Sequence, residues 1–139
     1  MEFAPILQSL LAGFPYLLLH FGLTLAIWIA GVVLYAYSTP YHELTLIRQN
    51  NVAAAVTLAA AMLGLALPLA FAMASSVNAA DILVWGAVTV ILQILVFRAI
   101  DLVLRGLPAR IEAGEIGPAI MVSAAKLSVA AFNAAAVSG

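Results

Sequence analysis

Lys126 stands in the middle of residues 118–137, PAIMVSAAKLSVAAFNAAAV, a stretch otherwise apolar enough to be immersed in lipid. An ammonium at the centre of a membrane helix costs roughly 2.5–3.5 kcal/mol on insertion scales. A chain with only five basic and six acidic residues is expected to give such a group a partner or a route to water. The candidates lie on the preceding apolar segment, where Gln93, Phe97, Asp101 and Arg105 recur at intervals of four and share one helical stripe. Arg98 is three residues from Asp101 and can reach it along the same helix. Side chains lean toward the N-terminus of their own helix, so on oppositely directed neighbours Lys126 and Asp101 lean toward each other. We expect Asp101 to pair with Arg98 or Lys126 in the bundle interior, all three being linked if the helices adjoin. Arg105, nearer the segment end, is expected to extend to the lipid headgroups. Gln93 and Asn133 are candidates for a hydrogen bond across helices, each worth roughly 0.6–2 kcal/mol.

Other reactive residue types do not assemble into a recognisable constellation. His20 falls within the first apolar segment and reads as a core or interfacial residue. His42 and Glu43 are adjacent in a connection, but two donors without a third make no metal site. Glu112 and Glu115 read as the solvated entrance of a helix rather than paired catalytic carboxylates. The chain has no cysteine, which excludes disulfides and thiolate sites. No phosphate loop, nucleophile constellation or metal motif occurs. No catalytic residue, cofactor site or metal site is therefore assigned, and enzymatic activity is not expected.

The elements that position the charged residues follow from composition. Of 139 residues, 66% are hydrophobic and 8% charged, against roughly 25% charged in soluble domains. Net charge is −1, so composition gives no case for nucleic acid as a partner. Four apolar segments, at residues 14–37, 52–74, 82–103 and 119–137, each approach the ~20 residues that cross the hydrocarbon core. Helices are the expected spanning form, because a lipid-exposed backbone must satisfy its own hydrogen bonds. The fold class is thus all-α: a polytopic membrane protein with four transmembrane helices, built as a single integral membrane domain. The first apolar run lacks a basic leader and reads as a retained anchor. The connections are polar and rich in turn residues. Asn51 and Asp81 are candidate N-caps for the second and third helices, and Pro118 suits the first turn of the fourth. Gly64 and Pro68 form a candidate hinge, since Pro68 removes the hydrogen bond to the Gly64 carbonyl.

Orientation follows from the basic residues. Arg48 lies in the first connection, Arg105 and Arg110 in or beside the third, and none in the second. The first and third connections are expected to face the cytoplasm, with both termini outside. Tyr16, Tyr35, Tyr37, Tyr41 and Trp85 lie near segment ends as interfacial aromatics do, whereas Trp28 is deep enough to be packing. Residues 47–56, IRQNNVAAAV, align without gaps with residues 111–120, IEAGEIGPAI, at an offset of 64 residues. Two repeated hairpins, at about 14–74 and 82–137, would then share one orientation across an axis along the membrane normal. Small residues make two candidate packing seams: Ala53, Thr57, Ala60 and Gly64 on the second helix, and Ala124, Ser128, Ala131 and Ala135 on the fourth. Both are expected to pack within the bundle, an oligomer contact being the alternative for one of them.

The order and spacing of several short pieces resemble the YjfL-like family of small inner-membrane proteins, a family defined by a domain of unknown function. These pieces are Asn50-Asn51-Val-Ala-Ala-Ala55, Gly64-Leu-Ala-Leu-Pro68-Leu-Ala70 and Ser75-Ser76, then Asp81, Trp85-Gly86 and Gln93, then Ile111-Glu-Ala-Gly114 and Asn133-Ala-Ala. The family usually has Gly-Asn where this chain has Asn50-Asn51, and asparagine is the next most tolerant residue for a left-handed backbone. The resemblance implies a four-helix inner-membrane protein made of a duplicated hairpin, often encoded beside enzymes resembling ATP-grasp ligases. It brings no activity, substrate or catalytic residue. The expected function is a non-enzymatic membrane scaffold or partner subunit. Its partners would be the lipid bilayer and either a second copy or a cytoplasmic or envelope protein. The alternative is a small pore or carrier for a cation, proton or polyamine using Arg98, Asp101 and Lys126.

Overall fold

A computed structural model of the chain describes residues 2–139. The elements are α1 (Phe3–Ser38), α2 (Glu43–Arg48), α3 (Val52–Ser75), α4 (Ala79–Val103), α5 (Leu107–Glu112) and α6 (Ile116–Ser138), with no strand among the described residues. Four of them, α1, α3, α4 and α6, are long and apolar enough to cross a membrane, with mean hydropathies of 2.3, 2.2, 2.2 and 1.6. The all-α class and the four spans are those expected from sequence.

The boundaries differ where local chemistry overrides the length of a single span. α1 begins at Phe3, not near residue 14, and runs for 36 residues with Pro15 inside it. At 1.5 Å per residue that is about 54 Å, well beyond the ~30 Å of hydrocarbon. Residues 3–12 contain no breaker except Pro5 in the first turn, where its missing donor costs nothing. Only Gly31 and Tyr35 of α1 are buried, so its first half stands away from the bundle. The first and third connections are not plain loops either, since each folds a short helix, α2 and α5, against the ends of the long ones.

The caps explain where the helices start. The Asn51 side chain accepts from the Ala54 amide at 3.0 Å, as expected of an N-cap, and also donates to the Ile111 and Glu112 carbonyls at 2.9 and 3.2 Å. It thereby ties the start of α3 to the end of α5. The expected cap at Asp81 is corrected: α4 starts earlier, and its cap is Asn78, whose side chain accepts from the Asp81 amide at 2.9 Å. Asp81 instead reaches back to accept from the amide of Val77, the residue before the cap, at 3.1 Å, an arrangement related to the capping box. Asn50 takes the left-handed conformation at φ 62°, and Gly114, 64 residues on, does so at φ 79°. α2 and α5 begin at that same separation, as do α3 and α6.

α3 is the hub. It packs most extensively on α6 and also touches α1 and α4, while α4 bridges α1 and α6. The seam of Ala53, Thr57, Ala60 and Gly64 is buried, as expected. The other seam is not: Ala124, Ser128, Ala131 and Ala135 are exposed, and the inward face of α6 is Ala119, Val122, Ser123, Lys126, Ala130 and Ala134. The cause is Lys126 itself. A buried ammonium fixes which face of α6 turns inward, and the face carrying it already has the small residues needed for close approach. Two apolar layers result. One joins Tyr35, Leu65, Leu69, Ile94 and Phe97; the other joins Tyr41, Ala53, Leu107, Ile111 and Val122 at the α2–α5 end. Trp28 packs against the first layer, as expected, and its indole donates to the Met62 carbonyl at 2.9 Å.

α3 runs unbroken through Pro68, which is buried. Gly64 serves close packing: a Cβ there would lie 2.6 Å from Cζ of the fully buried Phe97 ring. Gly64→Ala should therefore destabilise the protein by about 1–3 kcal/mol, as overpacking of a filled core does. Gly22→Ala, with no neighbour within 4 Å, should be close to neutral. Paired unfolding titrations in detergent micelles check the contrast.

Candidate functional site

The face of α6 that carries Lys126 packs mainly on α3 and also meets α4, and the lysine side chain ends among groups from α1 and α4. Lys126 is 1% exposed. Its Nζ lies 2.9 Å from Asp101 Oδ1 and donates a hydrogen bond to the Tyr35 hydroxyl at 2.8 Å. Arg98 Nη1 lies 2.8 Å from the other carboxylate oxygen, Asp101 Oδ2. The expected linkage of Arg98, Asp101 and Lys126 is thus present in full, with one carboxylate between two cations. The Lys126–Asp101 contact is an ion pair with poor hydrogen-bond angles, since Asp101 Oδ1 has no hydrogen-bond partner by angle. The best-directed hydrogen bond of the ammonium goes to the phenol. Two ring faces complete the surroundings, with Lys126 Nζ 5.1 Å from the Tyr35 centroid and 5.5 Å from that of Phe97. At these distances the ring quadrupoles attract the cation. The two rings meet edge to face at 5.8 Å.

The rest of the α4 stripe divides by depth. Gln93 and Phe97 are fully buried, Asp101 is half-buried, and Arg105 is exposed because α4 ends at Val103. Asn133 donates to Gln93 Oε1 at 2.8 Å, the cross-helix bond expected between them, and makes a longer contact of 3.5 Å to the Thr89 carbonyl. Gln93 Nε2 is left without a partner. This amide layer sits two helical turns along α4 from Asp101, and Phe97 lies between the two polar layers, one turn from each. The layers are therefore separated by an aromatic ring with 0% exposure.

Three residues of the site escaped the sequence reading. Tyr35 and Tyr41 are not interfacial: they are 0% and 8% exposed and belong to the two apolar layers. Glu43 turns inward, 3% exposed, with Oε1 3.1 Å from the Thr39 hydroxyl. Burial pushes its carboxyl up to about 7, against the opposing pull of Thr39, Lys126 and Arg98. Burial likewise pushes the Tyr41 hydroxyl up to about 12, with the Thr57 hydroxyl opposing. The i, i+4 spacing of Thr39 and Glu43 was the available signal. Glu112 and Glu115 stay at the surface, where Glu115 lies 3.8 Å from Arg110.

A bundle of four membrane-spanning helices, with a buried lysine paired to a carboxylate that also holds a partly exposed arginine, defines a polytopic membrane protein with a charged core. Residues 9–137 match the family model described as Domain of Unknown Function (DUF350), and the chain belongs to that family. It is 32% identical over 130 residues to the UPF0719 inner membrane protein YjfL of Escherichia coli K12, covering 94% of this chain and 96% of that protein. The same identity and coverage hold for the protein of that name in Escherichia coli O157:H7. No solved structure matches the chain.

Removing only the carboxylate should be more harmful than removing the pair. Asp101→Asn leaves the ammonium buried with a phenol as its polar partner, an orphaned charge that costs about 3–5 kcal/mol. Asp101→Asn combined with Lys126→Met should recover part of that loss. A double-mutant cycle of unfolding in micelles measures the coupling, expected at about 0.5–3 kcal/mol.

Proposed function

We propose that this protein is a non-enzymatic scaffold or partner subunit of the bacterial inner membrane, with both termini outside the cytoplasm. The observation that carries the reading is the closure of the charged core. Lys126 has both of its polar partners inside the bundle, and Phe97 seals the Arg98–Asp101–Lys126 layer from the amide layer of Gln93 and Asn133. A pore or carrier would need these layers joined by water. The location is supported by the printed name of the Escherichia coli relatives, and the orientation by the placement of Arg48, Arg105 and Arg110. The matching 64-residue separations of α2 from α5 and α3 from α6 support a duplicated hairpin.

Two unpartnered surfaces suit a lateral partner. One is the apolar first half of α1, and the other is the exposed seam of Ala124, Ser128, Ala131 and Ala135 on α6. Small residues allow helices to approach closely in lipid, where packing and not the hydrophobic effect drives association. Either a second copy or another membrane helix would fit there. The chain has no cysteine, so single cysteines can be introduced cleanly.

Ser128→Cys and Ala131→Cys, treated in native membranes with a bifunctional maleimide, should each give a discrete higher-mass adduct that mass spectrometry identifies as a second copy or a partner. In reconstituted vesicles the protein should leave proton and cation gradients intact. A flux that disappears in Lys126→Met would overturn the scaffold in favour of the carrier.

A further inference from the structure

Glu43 is the first residue of a six-residue helix at the end of the bundle, yet its side chain is buried. The groups around it come from several elements. Tyr35 comes from α1, Tyr41 from the connection, Arg98 and Asp101 from α4, and Lys126 from α6; each is electrostatically coupled to Glu43 or shares its surroundings. α3 contributes no titratable side chain. Those of α5, Arg110 and Glu112, are exposed.

Charge in this group is unbalanced without Glu43. Arg98 and Lys126 share the single carboxylate of Asp101, which leaves one surplus positive charge. An ionised Glu43 cancels that surplus; a protonated Glu43 restores it. The carboxyl meets one hydroxyl that can serve either protonation state. Thr39 Oγ1 lies 2.8 Å from the Ala36 carbonyl, 3.3 Å from the Tyr41 carbonyl and 3.1 Å from Glu43 Oε1. A hydroxyl has one proton and two lone pairs. With its proton turned to Oε1 the hydroxyl favours the ionised carboxylate; with its proton on the Ala36 carbonyl it can accept from a protonated Glu43, so the contact serves both states. Glu43 also borders an open cleft. A cleft of about 440 Å³ between α1 and α2 is lined by Glu43 together with Tyr37, His42, Thr45 and Arg48.

We propose that Glu43 is a reversible proton-binding site, exchanging its proton with water in the α1–α2 cleft and setting the net charge of the buried Arg98–Asp101–Lys126 link. Each cycle takes up or releases one proton, and nothing is oxidised or reduced. The affinity is placed to respond near neutrality, because burial holds the carboxyl at about 7. Tyr41, at about 12, stays neutral over that range. Coupling is reciprocal: the factor by which the Arg98–Asp101 pairing changes proton affinity at Glu43 is the factor by which the proton changes that pairing. The site is independent of whether the protein serves as scaffold or carrier.

Folding retains this proton more strongly than the unfolded chain does. As pH rises from 4.5 toward about 7, the unfolded chain ionises first while the folded protein keeps its proton. The unfolded state then binds fewer protons, so stability falls with rising pH over that window. Glu43→Gln removes that slope.

The test is infrared titration of the protein reconstituted in lipid and labelled with carboxyl-13C glutamate, which separates glutamate from aspartate bands. A protonated-carboxyl band should titrate with a midpoint near 7 and be absent from Glu43→Gln. Arg98→Gln, which leaves Lys126 its carboxylate and removes a cation that favours ionised Glu43, should move the midpoint upward. The proposal is overturned if no labelled carboxyl titrates between about pH 6 and pH 9, if the band persists in Glu43→Gln, or if Arg98→Gln leaves the midpoint in place.

Discussion

A single ammonium in an apolar bundle constrains nearly everything around it. Lys126 is the only lysine of the chain, and it sits on the helix that packs most closely against the hub, α3. Desolvating that charge is tolerable only because a carboxylate from α4 and a phenol from α1 reach it at 2.9 and 2.8 Å. Those contacts require α1 and α6, which flank the α3–α4 pair on different sides, to converge at one point. Tyr35 must then be buried, although tyrosine near a helix end more often faces the headgroups. Phe97 must lie beside the ammonium, and Gly64 must lack a side chain so that the Phe97 ring fits. The ion link thus selects the face of α6, the position of α1 and the glycine of α3 together.

The two ends of the bundle are built differently. At the α2–α5 end, short helices fold back over the long ones, and Asn51, which caps α3, joins its start to the carboxyl end of α5 through two hydrogen bonds. That end carries the second apolar layer and the buried Glu43. At the other end the connection between α3 and α4 is brief, held by Ser76, Asn78 and Asp81, and α1 runs on alone. Most of the charge is concentrated at one end, while the exposed apolar surface of α1 is concentrated at the other. An asymmetric division of this kind suits a protein that senses or docks at one membrane face and packs laterally through the rest.

Much of this was legible in the sequence. Four apolar segments and the rule that lipid-exposed backbone must be helical suffice for the architecture. The i, i+3 and i, i+4 spacing of Arg98, Asp101 and Arg105, with the lean of side chains along antiparallel helices, suffices for the ion link. Asn51 announced itself as a cap. The remainder was hidden for identifiable reasons. An aromatic near a span end is degenerate between interface and core, so Tyr35 and Tyr41 were misplaced. Glu43 lies in a six-residue helix too short to show periodicity. The length of α1 is invisible to a search scaled to one bilayer thickness. Small residues line both faces of α6, so their spacing alone does not tell the inner seam from the outer. The lysine could have decided it, since Ala119, Ser123, Ala130 and Ala134 lie at −7, −3, +4 and +8 from Lys126 and share its face.

The central claim is that the ammonium of Lys126 is held by Asp101 inside the bundle. Because the chain has one lysine and two aspartates, with Asp81 at the opposite end of α4, isotopic labelling isolates the pair. Solid-state NMR of protein in lipid, with 15Nζ lysine and 13Cγ aspartate, measures the dipolar coupling between them. Strong dephasing of a single nitrogen resonance is expected, as the 2.9 Å Nζ–Oδ1 contact requires. A nitrogen signal that shows no dephasing from aspartate carbon would contradict the ion link and the packing that depends on it.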